Sequence, residues 1–494
     1  MNRSSADQMR RAPAVVRDLL TRRDDRGFRL ASAAGGELSA DQVRRAAMVV
    51  AERLRDAAGA GDGQAVLVRA GDFEAAAVAM LGTWAWGGTP VPVPMTAPAP
   101  FVAQVTAECR PAAHITPSGT ELAVEVPGPS PGEAEPALAA VARDHDIAIV
   151  LYTSGSTGAP KGILVPPDAM DFATRSIQRY LGLTEWDRIV NPVVPHFDYG
   201  LYQLLLALAA DCALTAAPPL FLDDLIDVID ARCGTVLPLV PSLAGPLTAR
   251  MAERRRTAAS VRLITSTGSH LGTPLIARLR AAFPRAQVMP MYGLTECKRV
   301  SYLAPNLVDA KPGSVGRPMA GVTCRVVDAN GRTVPDGETG ELVVRGPNLA
   351  LGYLGDDLLT GVVFRPVTGG RELWTGDLFT RDADGHLYHR GRRDDLVKVS
   401  DQRMSLREVE DALRGVSGVV DALAWVEDGT LKATIVADPP ARDVAAVRRA
   451  LRRAVRLPAM VPAVITVAGR LPTGPTGKPA RPRPARAPEA ARHR

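Results

Sequence analysis

Helical hydrophobic periods alternate with short apolar runs over much of the chain. The segment DQVRRAAMVVAERLRDA (41–57) repeats apolar positions every three or four residues, a spacing typical of an amphipathic helix. Short runs without that spacing predict buried strands, and they include QAVLVR, TPVPVP, AIVLY, RLIT and AQVMPMYG. Because helices and strands alternate, the sequence predicts an α/β protein with largely parallel sheets.

The pattern changes from residue 313 onward. In TCRVVDANGRTVPDGETGELVVRG, strand-like runs are separated by Asn330-Gly331 and Asp336-Gly337, which are typical hairpin signals, so a β-rich subdomain is predicted after the α/β core. A helix candidate (SLREVEDALRGV), a strand pair (DALAWVEDGTLKATIVA), a basic helix (DVAAVRRALRRAVRL) and a last strand (AVITVA) then predict a small α+β unit. We place the boundary near Gly391-Arg392, which gives a large N-terminal domain, 1–391, and a small C-terminal domain, 392–481.

Charge and aromatic content argue against a nucleic-acid partner. The net charge of the 494 residues is +6, and residues 479–494 contribute five Arg against one Glu. Aromatic residues make up only 4% of the chain and do not alternate with the basic residues, as they do in nucleic-acid-binding surfaces. The Pro, Ala and Arg content of residues 482–494 predicts a disordered basic tail.

Cysteine spacing and hydropathy predict a cytoplasmic protein. The five cysteines are far apart and show no metal-ligand spacing, which favours a reduced cytosol. Arginines near the N-terminus leave no room for the apolar core of a signal peptide. The apolar run GLYQLLLALAADCALTAAPPL is interrupted by Asp211, so it predicts a buried helix and a following strand rather than a membrane span.

The stretch YTSGSTGAPKG (152–162) combines hydroxyls, glycines and one lysine directly after the apolar run DIAIVL. Glycines let backbone N–H groups approach an anion, and the lysine supplies compensating charge, so the stretch is typical of a phosphate-binding turn. It lacks the Gly-x4-Gly-Lys-Ser/Thr spacing of nucleotide hydrolases. A mobile surface turn is the alternative interpretation.

Six motifs occur in order along the chain: YTSGSTGAPKG, MYGLTE (291–296), GETGELVVRG (337–346), WTGDL (374–378), GRRDD (391–395) and PTGPTGK (472–478). Together they resemble the adenylate-forming superfamily of acyl-CoA synthetases, aryl acid ligases, luciferases and nonribosomal peptide synthetase adenylation domains. The resemblance implies stacked α/β sheets and a small, mobile C-terminal domain. It also implies that a carboxylate attacks the α-phosphate of ATP, that pyrophosphate leaves, and that a thiol then attacks the acyl-adenylate.

The resemblance assigns the nucleotide to residues of these motifs. The β- and γ-phosphates would be held by the glycine-rich loop and its lysine: Thr153, Ser154, Gly155, Ser156, Thr157, Gly158 and Lys161. Tyr292 would stack near adenine, Thr295 would contact the α-phosphate, and Glu296 would hold Mg²⁺. Asp377 and Arg392 would bind the ribose hydroxyls, since a carboxylate accepts two hydrogen bonds at once.

Two further residues are assigned to the C-terminal domain. Lys478 would reach the carboxylate and α-phosphate oxygens, and the domain would rotate about Asp394 between the two reactions. Local alternatives remain for three of the residues named so far. Glu296 could be a carboxylate at a helix N-terminus, Asp377 a turn residue, and Lys478 a solvated lysine.

The motif PHFDYGLYQLL (195–205) bears on the choice of acid. By resemblance, Asp198 aligns with the aspartate that holds the substrate ammonium in amino-acid-activating relatives, although it could instead cap the helix that follows. The same alignment places five other residues in or beside the pocket: Phe197, Tyr202, Thr267, Met291 and Arg299. Arg299 could bind a second substrate carboxylate, or it could pair with Glu296 or Asp198, and we favour the internal pair.

The identity of the thiol acceptor depends on residue 401. Thioester-forming relatives often have glycine where this chain has Asp401, whose bulk and charge weigh mildly against the polyanion CoA. We therefore favour the phosphopantetheine arm of a separate carrier protein, with CoA as the alternative. The basic helix at 445–456 could bind an acidic carrier protein or could be a solvated face. A third hypothesis, a catalytically impaired binding protein, conflicts with intact Lys161, Glu296, Asp377 and Lys478.

Overall fold

The computed structural model describes residues 9–22, 24–25, 27–33, 36–69, 71–118, 121–127, 137–154, 160–217, 221–393, 396–399, 402–427, 429–437, 443–455, 458–472 and 481. Several residues named above lie outside this description: Gly155 to Gly158, Asp394, Asp401, Lys478 and the tail at 482–494. Their assignments therefore remain predictions from the sequence.

Six mutually parallel strands form the centre of a nine-stranded sheet, and antiparallel strands close both of its edges. In spatial order the strands are β15 (Arg317–Pro318), β14 (Ser301–Tyr302), β13 (Gln287–Tyr292), β12 (Leu263–Ser266), β11 (Val236–Leu239), β9 (Arg188–Asn191), β10 (Ala213–Ala216), β1 (Arg29–Ser32) and β2 (Glu37–Ser39). Every residue of β11 and β12 is buried, as expected for strands covered on both faces.

A second α/β sheet has four strands, and three of these are parallel. Its order is β4 (Thr89–Pro92), β3 (Ala65–Val68), β5 (Ala113–Ser118) and β6 (Glu121–Glu125). A smaller antiparallel sheet contains β7 (Ile149–Ser154), β8 (Pro160–Val165) and β18 (Gly352–Tyr353). The parallel sheets confirm the α/β fold class predicted from the alternating pattern.

The helices of this part of the chain begin and end at the residues that local chemistry favours. Ser39 caps α2 with a reciprocal capping box to Gln42, and Asp72 caps α3 by accepting from the Ala75 amide. The helices are α1 (Ala14–Thr21), α2 (Ala40–Ala58), α3 (Phe73–Trp86), α4 (Ala99–Cys109), α5 (Ala137–Asp144), α6 (Pro167–Leu181), α7 (Asp198–Ala210), α8 (Leu222–Ala231), α9 (Pro241–Glu253) and α10 (Thr273–Ala282).

A β-rich region follows the α/β core, as the hairpin signals predicted. Its antiparallel sheet contains β16 (Thr323–Val327), β17 (Gly340–Arg345), β19 (Phe364–Val367), β20 (Gly370–Arg381) and β21 (Leu387–Arg392), and the short helix α11 (Asp357–Val363) precedes β19. Gly331 and Gly337 both have positive φ angles, +79° and +89°, in the connection between β16 and β17. The two glycines therefore supply the backbone turns expected at these positions.

The last part of the chain has its own apolar core, built from residues between Met404 and Ile465. Its elements are β22 (Leu396–Val399), β23 (Gln402–Ser405), α12 (Leu406–Arg414), β24 (Val419–Glu427), β25 (Thr430–Ala437), α13 (Val444–Ala454) and β26 (Val464–Val467). The predicted helices and strands of the α+β unit all occur. The exact boundary at residue 391 remains a prediction.

Helices long and apolar enough to cross a lipid bilayer do not occur among the residues described. The long apolar run that we interpreted as helix and strand is α7 followed by β10, with Asp211 between them in the left-handed conformation at φ +55°.

We expect two helix glycines to respond oppositely to alanine. An ideal Cβ at Gly200, in α7, would lie 2.2 Å from the carbonyl oxygen of Val194, whereas nothing lies within 4 Å of one at Gly361, in α11. Gly200→Ala should lower the free energy of unfolding by about 1–3 kcal/mol through overpacking, and Gly361→Ala should raise it by about 0.5–1 kcal/mol.

Thermal and urea unfolding midpoints of the two variants, compared with wild type, test this expectation. Equal midpoints for Gly200→Ala and wild type would show that α7 can move away from the preceding loop.

Candidate active site

The loop between β13 and β14 closes so tightly that it requires glycine at its start. An ideal Cβ at Gly293 would lie 1.9 Å from the carbonyl oxygen of Lys298, and the Val300 amide donates to the carbonyl of Tyr292 at 2.9 Å. Lys298 itself has a left-handed φ of +60°. Residues 293–300 form turns and no helix, so the alternative interpretation of Glu296 as a carboxylate at a helix N-terminus is wrong.

The segment 348–354 holds this loop against the β7–β8 hairpin. The Asn348 side-chain amide donates to the carbonyls of Cys297, at 2.7 Å, and Arg299, at 3.0 Å. The Ala350 amide donates to the carbonyl of Glu296 at 2.8 Å. Farther along the segment, the amide of Leu354 donates to the carbonyl of residue 162 at 2.7 Å. The loop and the hairpin are therefore fixed to each other through backbone hydrogen bonds.

Tyr353 links two of the predicted site residues. Its hydroxyl donates to Glu296 Oε1 at 2.9 Å, and Lys161 Nζ lies 5.7 Å from the centroid of its ring. The structure thus brings the proposed phosphate lysine and the proposed metal carboxylate to one side chain. We did not predict Tyr353, because it lies 57 residues from Glu296 and no local pattern links the two.

The described part of the glycine-rich loop is the hairpin that carries it. Thr153 and Lys161 are cross-strand partners in β7 and β8, so both ends of the loop are fixed. An ideal Cβ at Gly162 would lie 2.9 Å from the ring of Tyr152, whose hydroxyl donates to Glu108 Oε2 at 2.7 Å. The tyrosine of the motif therefore anchors the hairpin to α4.

Asp377 is a buried carboxylate surrounded by hydrogen-bond donors and cations. It is 3% exposed, and it accepts from the Tyr292 hydroxyl at 2.7 Å. Arg392 Nε lies 3.0 Å and His389 Nε2 lies 3.9 Å from its Oδ1. Burial alone would raise the pKa of Asp377, but His389, Arg392 and the Tyr292 hydroxyl together hold it below the ordinary value. The carboxylate is therefore kept ionised and able to accept further hydrogen bonds.

The register of β20 and β21 creates this cluster. Asp377 and Arg392 are directly paired across the two strands, beside an irregularity at Leu378. Tyr292 reaches the pair from the end of β13 and packs edge-on against Phe379, with ring centroids 4.8 Å apart. Sequence reasoning missed His389, although it lies only three residues before Arg392.

Asp198 is the first residue of α7, and it lies after the cap position. The cap is Phe197, which makes no side-chain capping bond. Asp198 is 7% exposed, and no hydrogen bond to its carboxylate comes from any residue that the structure describes. The alternative in which Asp198 serves as the N-cap of this helix is therefore not supported.

Other predicted pocket residues are also buried. Tyr202, one turn after Asp198 on α7, is 1% exposed, and its hydroxyl has no partner within the described ranges. Met291 Sδ accepts from the Tyr180 hydroxyl at 3.3 Å. Thr267 is buried beyond the end of β12, and Phe197 is half-buried.

Two consecutive buried cations, Lys298 and Arg299, follow Glu296. Lys298 is 1% exposed and donates from Nζ to the Thr295 carbonyl at 2.7 Å. Burial lowers its pKa to about 8, although the charges of Asp198 and Glu296 act in the opposite direction. Sequence reasoning missed Lys298, because the letters ECKRV alone resemble a solvated turn.

Arg299 does not form the internal ion pair that we favoured from the sequence. It is 4% exposed. Among the residues described, no carboxylate lies within 4.0 Å of its guanidinium nitrogens, and this includes the carboxylates of Glu296 and Asp198. Its Cζ lies 5.0 Å from the centroid of the Tyr199 ring, and that tyrosine donates to the Thr265 carbonyl at 2.9 Å.

Residues 3–354 match the family model described as AMP-binding enzyme. The chain belongs to this family, and with it to the adenylate-forming superfamily. It is thus an AMP-binding enzyme by family. The six ordered motifs had indicated this membership.

Curated relatives of this family member include large synthetases. Phenyloxazoline synthase MbtB of Mycolicibacterium paratuberculosis is 32% identical over 85% of this chain and 37% of its own length. Phosphinothricin tripeptide synthetase PhsC of Streptomyces viridochromogenes is 33% identical over 67% of this chain and 31% of its own length. The chain therefore spans about a third of the length of these two relatives.

Solved structures of acid ligases share the fold. The anthranilate CoA ligase AuaEII in complex with anthranoyl-AMP has a TM-score of 0.80, at 23% identity over 96% of this chain and 97% of its own. ATP-bound MatB from Rhodopseudomonas palustris has a TM-score of 0.78, at 23% identity over 94% of this chain and 96% of its own. At this identity the likeness establishes the architecture of the AMP-binding enzyme and leaves the substrate open.

The residues near Glu296 fit a magnesium ion bound together with ATP. One carboxylate oxygen accepts from Tyr353, and no donor from the described part of the chain reaches the other. Mg²⁺ in nucleotide sites is usually held by one or two carboxylates and the substrate phosphates, and it would there neutralise phosphate charge. A second group of possible metal ligands consists of Asp382, Asp384 and His386. It fits a metal ion less well, because Lys311 already donates hydrogen bonds to both carboxylates.

We expect the Tyr353 hydroxyl to lower the Mg²⁺ concentration that the reaction requires. Tyr353→Phe removes the donor that orients Glu296, so the Mg²⁺ concentration for half-maximal pyrophosphate exchange should rise about tenfold. Tyr388→Phe removes a comparable hydroxyl–carboxylate bond, to Asp382 at 3.1 Å, outside the site, and should leave the requirement unchanged. Identical magnesium curves for Tyr353→Phe and wild type would contradict the assignment of Glu296.

His196, beside the pocket, should make the fold sensitive to acid. Burial lowers its pKa from the ordinary 6.5 to about 4. Between these values the unfolded chain binds more protons than the folded chain, so the free energy of unfolding falls as the pH drops from 6.5 to 4. Replacing the imidazole in His196→Gln should reduce that fall by about 3 kcal/mol.

Urea unfolding midpoints measured at several pH values between 7 and 4 check this dependence. The exposed His145→Gln variant is the control. Parallel pH profiles for His196→Gln and wild type would show that the imidazole is not kept neutral.

Proposed function

We propose that the chain converts a carboxylic acid, specifically an amino acid, to an acyl-adenylate and then transfers the acyl group to a phosphopantetheine thiol. In the first step the acid's carboxylate oxygen attacks the α-phosphorus of ATP, and the bond to the pyrophosphate oxygen breaks. In the second step the thiol sulfur attacks the acyl carbon, and AMP leaves. Negative charge accumulates on phosphoryl oxygens, so cations and hydrogen-bond donors carry most of the catalysis.

The arrangement of described residues supports roles for the nucleotide groups. Lys161 and Thr153 lie at the two ends of the loop that we assign to the β- and γ-phosphates, together with Ser154. Glu296 accepts a hydrogen bond from Tyr353, whose ring also lies near Lys161, and its carboxylate suits the magnesium ion. Thr295 lies next to Glu296 and suits the α-phosphate.

The ribose and hinge assignments complete this proposal. Asp377 remains ionised in a buried cluster with Tyr292 and Arg392, as a ribose-binding carboxylate should. Lys478 as the catalytic lysine and Asp394 as the hinge rest on the motifs alone. Lys478→Ala should abolish pyrophosphate release, and retained release would overturn its assignment.

The observation that carries the choice of an amino acid is the state of Asp198. Burying an ionised carboxylate without a hydrogen-bond donor is unfavourable in free energy, and no described donor reaches Asp198. A substrate ammonium would supply both the donor and the opposite charge. Lys298 is the competing cation, because its charge also acts on Asp198. The ammonium of Lys298 nevertheless donates to the Thr295 carbonyl and forms no ion pair with a described carboxylate within 4.0 Å.

A separate carrier protein is our proposed acceptor. The names of the curated relatives, a phenyloxazoline synthase and a tripeptide synthetase, support assembly-line chemistry. Two structural neighbours are instead named as an anthranilate CoA ligase and an O-succinylbenzoate coenzyme A synthetase. The latter likeness concerns the fold. CoA therefore remains the alternative acceptor, and single-turnover transfer to CoA and to a holo-carrier protein separates the two.

A reduced cytosol remains our proposed location, supported by the five free cysteines.

ATP-dependent pyrophosphate exchange across matched amino, aryl and fatty acids tests the proposed substrate. We expect an amino acid to be preferred and Asp198→Asn to lower its kcat/KM by about 10²–10³-fold, with little effect on the matched acid without an ammonium.

Asp187→Asn is the control for loss of a buried carboxylate, because Asp187 is paired with Arg262 at 2.6 Å, outside the site. It should change stability and leave the ranking of acids unaltered. A preference for fatty or aryl acids that survives in Asp198→Asn would replace the amino-acid proposal.

A further inference from the structure

Arg299 is a buried cation whose charge no described carboxylate balances. The groups described near its guanidinium are uncharged: the Lys298 carbonyl lies 3.4 Å from Nη1, the Tyr199 ring centroid lies 5.0 Å from Cζ, and the Tyr180 phenol is near enough to feel its charge. Its Nε is buried and has no hydrogen-bond partner within the described ranges. A desolvated guanidinium in this state is unfavourable unless an anion reaches it.

A second buried arginine shows the usual arrangement. Arg11 is 3% exposed, and it has Asp62 Oδ1 3.5 Å from Nη1 and Asp146 Oδ1 3.5 Å from Nε. Arg11 thus has two carboxylates and Arg299 has none among the described residues, although the two side chains are equally buried. The difference indicates that the anion for Arg299 comes from outside the described chain.

The neighbours of Arg299 include residues that the sequence assigned to the substrate pocket. The Tyr180 hydroxyl beside it donates to Met291, a predicted pocket residue, at 3.3 Å. Tyr202, whose buried hydroxyl has no hydrogen-bond partner among the described residues, lies close enough to both Asp198 and Arg299 for their opposite charges to act on its phenol. The residues assigned to the pocket therefore include a carboxylate, a guanidinium and a hydroxyl without a described partner.

We propose that the acid activated by this chain carries a second carboxylate, remote from the one that is adenylated, and that Arg299 binds it. The inference rests on the proposed function, because the ammonium contact to Asp198 then makes the substrate an acidic amino acid. A guanidinium donates two parallel hydrogen bonds to a carboxylate, and the hydroxyl of Tyr202 can donate a third. A neutral side chain of the same size leaves the cation unpaired.

The experiment measures kcat/KM for pyrophosphate exchange with matched acids. Aspartate, glutamate and 2-aminoadipate are compared with asparagine, glutamine and norvaline, and succinate and glutarate provide second carboxylates without an ammonium. We expect wild type to prefer an acidic amino acid over its amide by about 10³-fold or more. Arg299→Met should lower kcat/KM for that acid by about 10²–10⁴-fold, and the ratio of kcat/KM for the acid to kcat/KM for its amide should fall with it.

Two further variants separate specificity from stability. Arg299→Lys keeps the charge without the planar fork, so it should retain part of the preference for the acidic substrate even if Arg299→Met folds poorly. Arg11→Met removes an equally buried guanidinium outside the pocket, and it should change the unfolding midpoint while leaving the acidic-to-amide ratio as in wild type.

The outcomes distinguish this inference from the proposed function. Equal losses for acidic and neutral acids in Arg299→Met, or a wild-type preference for neutral amino acids, would overturn the role of Arg299 and leave the amino-acid proposal standing. Efficient use of succinate or glutarate that depends on Arg299 and is unaffected by Asp198→Asn would support Arg299 and overturn the ammonium contact.

Discussion

The candidate site depends on one close approach between two backbone segments, Gly293 and Lys298. With 1.9 Å between an ideal Cβ at Gly293 and the Lys298 carbonyl oxygen, only glycine fits. The chain therefore turns back within a few residues of the parallel strand β13, and the loop lies at the carboxyl end of that strand. Carboxyl ends of parallel strands are where ligands bind in α/β proteins. Glu296 and Arg299 owe their positions to this turn.

Burial then determines what each charged group in the site can do. Asp377 is surrounded by donors and cations, so its charge is stabilised before any ligand arrives. Asp198 and Arg299 are also buried, yet neither forms an ion pair within 4.0 Å with a described residue. Electrostatic interactions are strong in such a medium, and unpaired charges in it are unfavourable. A ligand that carries both kinds of charge would therefore gain free energy by binding beside these two residues.

The segment 348–354 joins parts of the chain that are far apart in sequence. Its β18 strand adds to the hairpin that carries the glycine-rich loop, while Asn348 and Ala350 bond to the loop after β13. Tyr353 is consequently shared by Lys161 and Glu296. The lysine and the carboxylate that we propose for phosphate chemistry therefore both lie against one strand, whose own sequence carries no catalytic signature.

Local patterns in the sequence determined the helices, the strands and the order of the motifs. Capping residues, apolar periods and turn glycines act over a few residues, so the α/β class and the β-rich region could be predicted. The motifs marked Asp377 and Glu296 as candidates for the site. Partnerships could not be predicted, because they depend on strand register and on contacts between distant segments. Only the tertiary structure decided that Asp198 follows the cap, that Tyr353 reaches Glu296, and that Arg299 is buried without the carboxylate that the sequence had led us to expect.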